Sequence, residues 1–297
     1  NTCSALLGYA GLQERWRPRL LAHRARLYWE LIRPKEALAD LARALELDPD
    51  NTGAIAVQGM IYRHTGRFEE ALAAANRLIE LRPDSMEGYW QRALAYPRMG
   101  LYEEALRDLA RCVELGASYP DVNAGRANIY LSTRRYEEAL ADLNAALERL
   151  PNWQWPLRLR GETYRRMGRL REALADLNRA VELQPSFAAL YGRGLAYQAL
   201  GQPDKAEADF RAAIRGGRPT REGLPQFGTN TLFLAVCHLA VGEGEVAECL
   251  CREALAGGAS PYLVGSIVHM LDDFLTVFRD HAGALAMRQL LQEHLDE

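Results

Sequence analysis

The chain has 297 residues, with 36 Lys and Arg against 39 Asp and Glu, a net charge of −3 and 25% charged residues. That is ordinary for a water-facing protein and shows no global bias toward nucleic acid or an anionic membrane. No stretch approaches the roughly 18 consecutive apolar residues of a membrane helix. Five cysteines, an odd number without framework spacing, argue against a disulfide scaffold.

The first residues lack a basic segment followed by a long apolar run, so they are not read as an intact signal peptide. They also lack an initiator Met, and the chain is read as a processed or excised fragment. Residues 1–17 form an N-terminal cap or a remnant helix. There Tyr9, Leu12 and Trp16 recur at helical spacing and cover the exposed edge of the first helix pair.

From Pro18 a 34-residue period governs the chain. Ala37, Ala71, Ala105, Ala139 and Ala173 recur at that interval, and the clearest copy runs from Gln154 to Phe187. Such a period outranks local propensity, because each unit cannot bury its apolar faces without neighbours. Each unit reads as two helices. In the first, residues 18–51, Leu21, Ala25 and Tyr28 lie on the first helix. Pro34 opens the second helix, where its missing N–H is not needed. Ala37, Leu38, Leu41, Ala44 and Leu45 then make one apolar face.

The second unit (52–84) has Gly59, Tyr62 and a turn at Gly66, and the third (85–119) has Ala93, Tyr96 and Gly100. In the fourth (120–153) Arg134 stands at the turn where other copies have Gly, so that position is not expected to be left-handed in every copy. The fifth is the clearest copy. The sixth (188–220) enters one residue early, the loss falling between Pro185 and Gly194. Small residues at Gly59, Ala93, Ala127, Gly161 and Gly194 face Ala71, Ala105, Ala139, Ala173 and Ala206 and let the paired helices approach closely. The Gly- and Pro-rich run from Gly216 to Asn230 reads as loop, with residues 221–227 as the insertion itself. Residues 228–260 resume the pattern as a divergent seventh unit. Residues 261–297 read as an eighth hairpin with a longer first helix, a C-terminal capping pair.

The wording "RGETYRRMGRLREALADLNRAVELQPS", with Gly161, Tyr164, Gly168, Ala173, Ala180 and Pro185, resembles the tetratricopeptide-repeat family, in the style of long bacterial arrays. The resemblance is strong over residues 18–220 and weaker over 228–294. It implies an all-α fold: an α-solenoid, a right-handed superhelix of antiparallel helix pairs with first helices lining the concave face. It also implies a non-catalytic protein–protein interaction scaffold that holds a peptide or protein partner in that groove, without cofactors. The cysteines, read as buried small residues, point to a reducing, cytoplasmic compartment.

The family register points Arg26, Trp29, Met60, Arg63, Trp90, Arg98, Asn128, Trp155, Arg158, Glu162, Arg165 and Tyr191 at the groove, with His64 beside Arg63. Large aromatics and Arg dominate interface energetics, and Arg binds carboxylates with both arms of its fork. The expected partner is therefore a peptide or protein with acidic and apolar residues. Some of these side chains have the alternative of packing between repeats, and Arg165 and Arg166 that of a solvated face. Chaperone-tail binders of the family clamp a carboxylate with Lys and Asn. Here Asn128 alone of the matching positions keeps an amide and none holds Lys, so that subtype is not expected.

Three other readings remain open. One is a single-stranded RNA module, since Arg and aromatics can track phosphates and stack bases. The net negative charge and Glu30, Glu87, Asp121 and Glu162 stand against it. Another is a sensor or regulatory region of a larger signalling protein, although no Gly-rich loop with Lys-Ser or Lys-Thr is present. The third is a homodimer formed through an uncovered terminal helix. The histidines are scattered, and Cys249 and Cys251 point apart on a helix. Acidic pairs at second-helix starts are explained by the helix dipole. No constellation for catalysis or metal binding is legible.

Overall fold

The computed structural model describes residues 14–31, 33–116, 120–217, 227–259 and 261–296. These residues form sixteen α-helices and short connections, and no strand occurs among them. In chain order the helices are α1 (Arg17–Glu30), α2 (Pro34–Leu47), α3 (Thr52–His64), α4 (Phe68–Leu81), α5 (Met86–Ala95), α6 (Tyr102–Glu114), α7 (Pro120–Ser132) and α8 (Tyr136–Arg149). They continue with α9 (Gln154–Arg166), α10 (Leu170–Leu183), α11 (Phe187–Ala199), α12 (Pro203–Gly217), α13 (Phe227–Ala240), α14 (Gly244–Ala256), α15 (Pro261–Val277) and α16 (Ala282–Asp296). The all-α, solenoid-type pairing is the fold expected from the period. Two compact units are defined, Asn1–Gly125 and Arg126–Glu297.

Within the first unit, each first helix packs on its own second helix and on the first helix of the next pair, as α1 on α2 and α3, and α3 on α4 and α5. Successive second helices are not among the packed pairs. The first helices therefore line the inner side of the stack. The same holds for α9 and α11 in the second unit.

The helix–helix turns share one closure. The carbonyls of Tyr62, Tyr130, Tyr164 and Tyr197 accept the N–H of Arg67, Arg135, Arg169 and Gln202 at 2.8–2.9 Å. This bond requires a left-handed residue just before its donor. Gly66, Gly168 and Gly201 supply it, with φ of 78°, 75° and 70°. Arg134 supplies it as well, at φ 61°. The expectation that Arg134 escapes that conformation is corrected: the hydrogen bond sets the backbone whatever residue is present. An L side chain is strained there, so Arg134→Gly is expected to stabilise the protein by about 0.5–1 kcal/mol, after allowing for the greater freedom of Gly in the unfolded chain. A urea midpoint that rises checks this, and one that falls contradicts it. The Arg after the turn is used twice. Its guanidinium stacks on the tyrosine ring (Arg67 on Tyr62 at 4.2 Å, Arg169 on Tyr164 at 4.4 Å) and pairs with an acid in the first turn of the next helix, Glu70 or Glu172.

A second periodic device binds the two helices of a pair. Arg24, Arg92, Arg126, Arg160 and Arg193 each donate with both arms to Asp40, Asp108, Asp142, Asp176 and Asp209, sixteen residues on. The carboxylates are buried. Arg92, Arg160 and Arg193 also reach Asn76, Asn144 and Asn178 on the preceding second helix at 2.7, 2.8 and 3.1 Å. One side chain thus ties three helices. In the second repeat the corresponding places hold Gln58 and Ala74.

Close approach explains the glycines. A Cβ on Gly161 would lie 2.7 Å from Leu177 Cγ and 3.1 Å from the Ala173 carbonyl oxygen. Ala93 and Ala127 hold the same register position with their methyls fully buried.

The last pair does not continue the stack as a regular hairpin. Elsewhere a second helix packs on the next first helix, as α10 on α11 and α12 on α13. At the end α14 and α13 receive α16 instead, while α15 packs on α11 and α13. So α15 turns onto the first-helix side of the second unit. There Val264, Ile267, Leu271 and Phe274 join Leu195, Phe210 and Leu232 in one core, each almost fully buried.

At the other end, Tyr9 and Leu12 lie outside the described residues. Trp16 does not bury itself on the first pair: it is 42% exposed, with the guanidinium carbons of Arg15 and Arg19 at 5.1 and 5.4 Å from its ring. The expected loop at 216–230 is shorter than read. Gly216 and Gly217 end α12, Phe227–Asn230 begin α13, and 218–226 lie outside the described residues. Cys112, Cys237 and Cys251 are buried, and Cys249 is exposed. Burial pushes the Cys112 and Cys251 thiols up to about 11 and that of Cys237 further still, which keeps them protonated packing groups.

Candidate binding surface

On the inner side of the first unit, the ends of α1 and α3 come together. Trp29 lies in the last turn of α1, and its ring is tilted over His64 with centroids 5.6 Å apart. Arg63, one residue before His64, donates an N–H to His64 Nε2 at 3.0 Å. That nitrogen is therefore an unprotonated acceptor. Although part of the ring is exposed, enclosure and the charges of Arg63 and Arg98 push the imidazole down to about 4, so it is neutral at pH 7. Arg63 is partly buried, and burial, then the nearby Arg98, lower its own pKa. Arg98 occupies the place of His64 one repeat later, in the turn after α5.

Around this group Met60 packs against the α1–α3 core and is half-buried. Arg26 is exposed one turn before Trp29 and forms no ion pair among the described residues. Trp90 sits farther along on α5. Gly125 accommodates it, since a Cβ there would be 3.3 Å from the indole Cη2 and Cζ3. Gln91 ties α5 to α3 by donating to the Ala56 carbonyl at 3.0 Å. Near the start of α1, an open cleft of about 420 Å³ is lined by Arg19, His23, Asp48, Asp50 and Arg82, a set of mixed sign.

The second unit is different. Asn128 is exposed on α7. Trp155 meets Trp153 edge to face at 5.6 Å and, partly buried, packs against the core cluster that contains Leu131, Leu143 and Leu159. Glu162, Arg165, Arg166 and Tyr191 lie under α15. Arg165 donates to Glu162 at 2.7 Å and to Asp273 of α15 at 2.5 Å, and its side chain is 3% exposed. The solvated-face reading of Arg165 is thereby corrected. Arg166 pairs with Glu162 at 2.7 Å and lies 3.8 Å from Asp273. Burial alone would raise the Glu162 carboxyl, but Arg165 and Arg166 outweigh it and hold it at about 2. Arg158, one turn before Glu162, is partly buried and forms no ion pair among the described residues. Tyr191 is buried, stacked on Phe187 at 6.2 Å, and its hydroxyl has no hydrogen-bond partner among the described residues.

Seven of the twelve groove residues therefore fall into two groups. Trp29, Met60, Arg63 and Arg98 converge on an open surface. Glu162, Arg165 and Tyr191 converge under the chain's own helix. Sequence reasoning did not find Asp273 as their partner. It also passed over the Arg–Asp pairs, although the same period that located the repeats carries both residues. Among the described residues no group of three or more His, Cys, Asp or Glu is placed to hold a metal ion, and no helix is long and apolar enough to cross a membrane.

Tetratricopeptide-repeat models match residues 24–85 and 158–220, residues 58–127 and residues 120–152. The chain belongs to the tetratricopeptide-repeat family. A search of curated proteins gave no match. Among solved structures, a tetratricopeptide-repeat protein from Parabacteroides merdae is 19% identical, with a TM-score of 0.61 over 84% of this chain and 97% of that one. PilW, a type IV pilus biogenesis factor, is 18% identical, with a TM-score of 0.60 over 69% of this chain and 95% of its own. An IFIT1 monomeric mutant with m7Gppp-AAAA is 18% identical, with a TM-score of 0.59 over 92% and 68% of the two chains. At these identities the likeness concerns the fold.

Proposed function

We propose that this chain is a non-catalytic interaction scaffold that holds an acidic, partly apolar segment of a protein partner on the inner face of the first unit. The observation that carries this reading is the convergence of Arg63 and Arg98, with Arg26 nearby, beside Trp29 and Met60. Like charges held together, with Arg63 unpaired to any carboxylate among the described residues, favour a negatively charged partner. The apolar flank supplies the contact area that charge alone does not. In the second unit the corresponding surface is filled by α15, which favours the first unit as the docking face. Among the described residues four cysteines are free, which fits a reducing, cytoplasmic setting.

Selection from a random peptide display library tests the proposal. The wild-type chain is expected to enrich peptides combining Asp or Glu with Leu, Phe or Trp, and an Arg63→Ser/Arg98→Ser variant is expected to lose that enrichment. Enrichment unchanged by the double substitution overturns the reading. Retention of single-stranded oligo(A), with an affinity falling steeply in salt, would move it to RNA.

A further inference from the structure

The second repeat lacks the Arg–Asp staple, and the residues in its place have a different chemistry. Arg24 with Asp40 one repeat before, and Arg92 with Asp108 one repeat after, correspond here to Gln58 and Ala74. The third anchor is changed as well, since Asn76, which accepts from Arg92, corresponds to Ala42. Both charges are absent together, so neither is stranded.

An open cleft of about 420 Å³ lies at this place. Its lining comes from the second helices α2 and α4, with α3 between them. Leu45, Ile55, Tyr62 and Ala74 make much of that lining apolar. Ile55 and Ala74 are buried in a cluster with Leu78, against which Leu45 packs. The two charged residues of the lining already have partners. Arg77 donates to Asp50 at 2.6 Å and to Glu80 at 3.1 Å, and Glu70 accepts from Arg67 at 2.8 Å.

The tyrosine ring records the missing guanidinium. Tyr28 has two such neighbours, Arg33 at 4.8 Å and Arg24 at 5.6 Å. Tyr62 keeps the equivalent of the first, Arg67 at 4.2 Å, while the place of the second is held by Gln58. The Gln58 carboxamide lines the cleft and makes no hydrogen bond among the described residues.

These features select an occupant. The apolar lining favours a hydrophobic group, and the Tyr62 ring favours a flat, aromatic one. A charged group would lose its hydration and find no uncompensated charge in the lining. The carboxamide offers one acceptor and two donors, the complement of a peptide group. An aromatic residue within a protein segment carries the ring and the peptide group together.

We propose that this cleft receives an uncharged aromatic side chain, of the Phe type, from a protein partner, with Gln58 pairing to the peptide group beside it. It is a second surface, on the side of the second helices, and it is additional to the inner-face reading above.

The test is an NMR titration of the full chain at pH 7, read at the methyl groups of Ile55 and Leu45. The probes are N-acetyl-phenylalaninamide, N-acetyl-alaninamide, N-acetyl-argininamide, toluene and acetyl-Ser-Ser-Phe-Ser-Ser-amide. The Phe amide and the pentapeptide are expected to shift both methyls saturably. The Phe amide should bind about 10-fold more tightly than the Ala amide, as burial of one ring implies. The Arg amide should bind no better than the Ala amide. Gln58→Leu is expected to weaken the Phe amide about 5-fold, the worth of one hydrogen bond, and to leave toluene unchanged. Gln58→Arg/Ala74→Asp rebuilds the staple inside the cleft. It should keep a urea midpoint no lower than that of the wild type and abolish binding. Ala74→Met, which fills the cleft without charge, should abolish it too, and it decides alone if the rebuilt variant does not fold.

Binding of the Phe amide that survives the blocking substitutions, or that is no tighter than binding of the Ala amide, overturns the proposal. So does equal affinity for toluene and the Phe amide, because the peptide group is then not read. A Phe amide that binds while the pentapeptide does not would assign the cleft to a free small molecule, which also overturns it.

Discussion

Arg165→Met is expected to destabilise the second unit by about 3–5 kcal/mol, because removing one member of a buried ion pair leaves the other members uncompensated. Glu162 and Asp273 both rely on this guanidinium, and each is 14% exposed at its side chain. Arg166 shares the load, at 2.7 Å from Glu162 and 3.8 Å from Asp273, which favours the lower end of that range. The loss should appear first in α15, as faster amide hydrogen exchange from Leu263 to Phe274. Replacing the pair together, as Arg165→Met/Asp273→Leu, should recover at least half of the stability, since no charge is then stranded beneath the helix. Equal losses in the single and double variants would show that the ion pair does not seat α15.

Acid reports on the same group. Glu162 is held at about 2, below its ordinary value of 4.5, so it contributes stability that is present above about 4.5 and lost as the pH falls toward 2. The second unit should loosen over that window. A Glu162→Gln variant should start from lower stability at pH 7 and show a flatter acid profile.

The second large effect concerns the periodic staple. Asp176→Ala leaves Arg160 without the two bonds of 2.7 and 2.9 Å that join α9 to α10, and a loss of about 3 kcal/mol is expected. The control is the exposed pair Arg107–Glu104, where Glu104→Ala should cost no more than about 0.5 kcal/mol. Both values are read from urea midpoints at constant slope. If Asp176→Ala costs no more than the surface substitution, the staple is geometry without energetic weight.

How far the sequence reached can be judged residue by residue. The helix pairs were legible because the spacing of Ala37, Ala71, Ala105, Ala139 and Ala173 is imposed by stacking, and stacking leaves a period. Gly161 was legible for the same reason. The Arg160–Asp176 pair was equally periodic and could have been found by aligning polar positions as well as small ones. Arg134 was misread because residue preference was taken to govern backbone conformation. In the structure the Arg135 N–H to Tyr130 carbonyl bond governs it. The seating of α15 was not legible at all. Nothing in a period says which way the final helix turns, and Asp273 meets Arg165 across 108 residues of chain. The Arg and aromatic residues assigned to the groove carry no label for where the chain closes over them. That is why Arg63 and Arg165, at equivalent register positions, have opposite surroundings.

The most direct measurement is site-specific photocrosslinking of a display-selected acidic peptide to the full chain. A benzophenone side chain replaces either Arg26, exposed on α1, or His269, exposed on α15. The account predicts a crosslinked product from position 26 that excess unlabelled peptide suppresses, and none from position 269. A product from position 269 with none from position 26 would place the partner over α15 and contradict it.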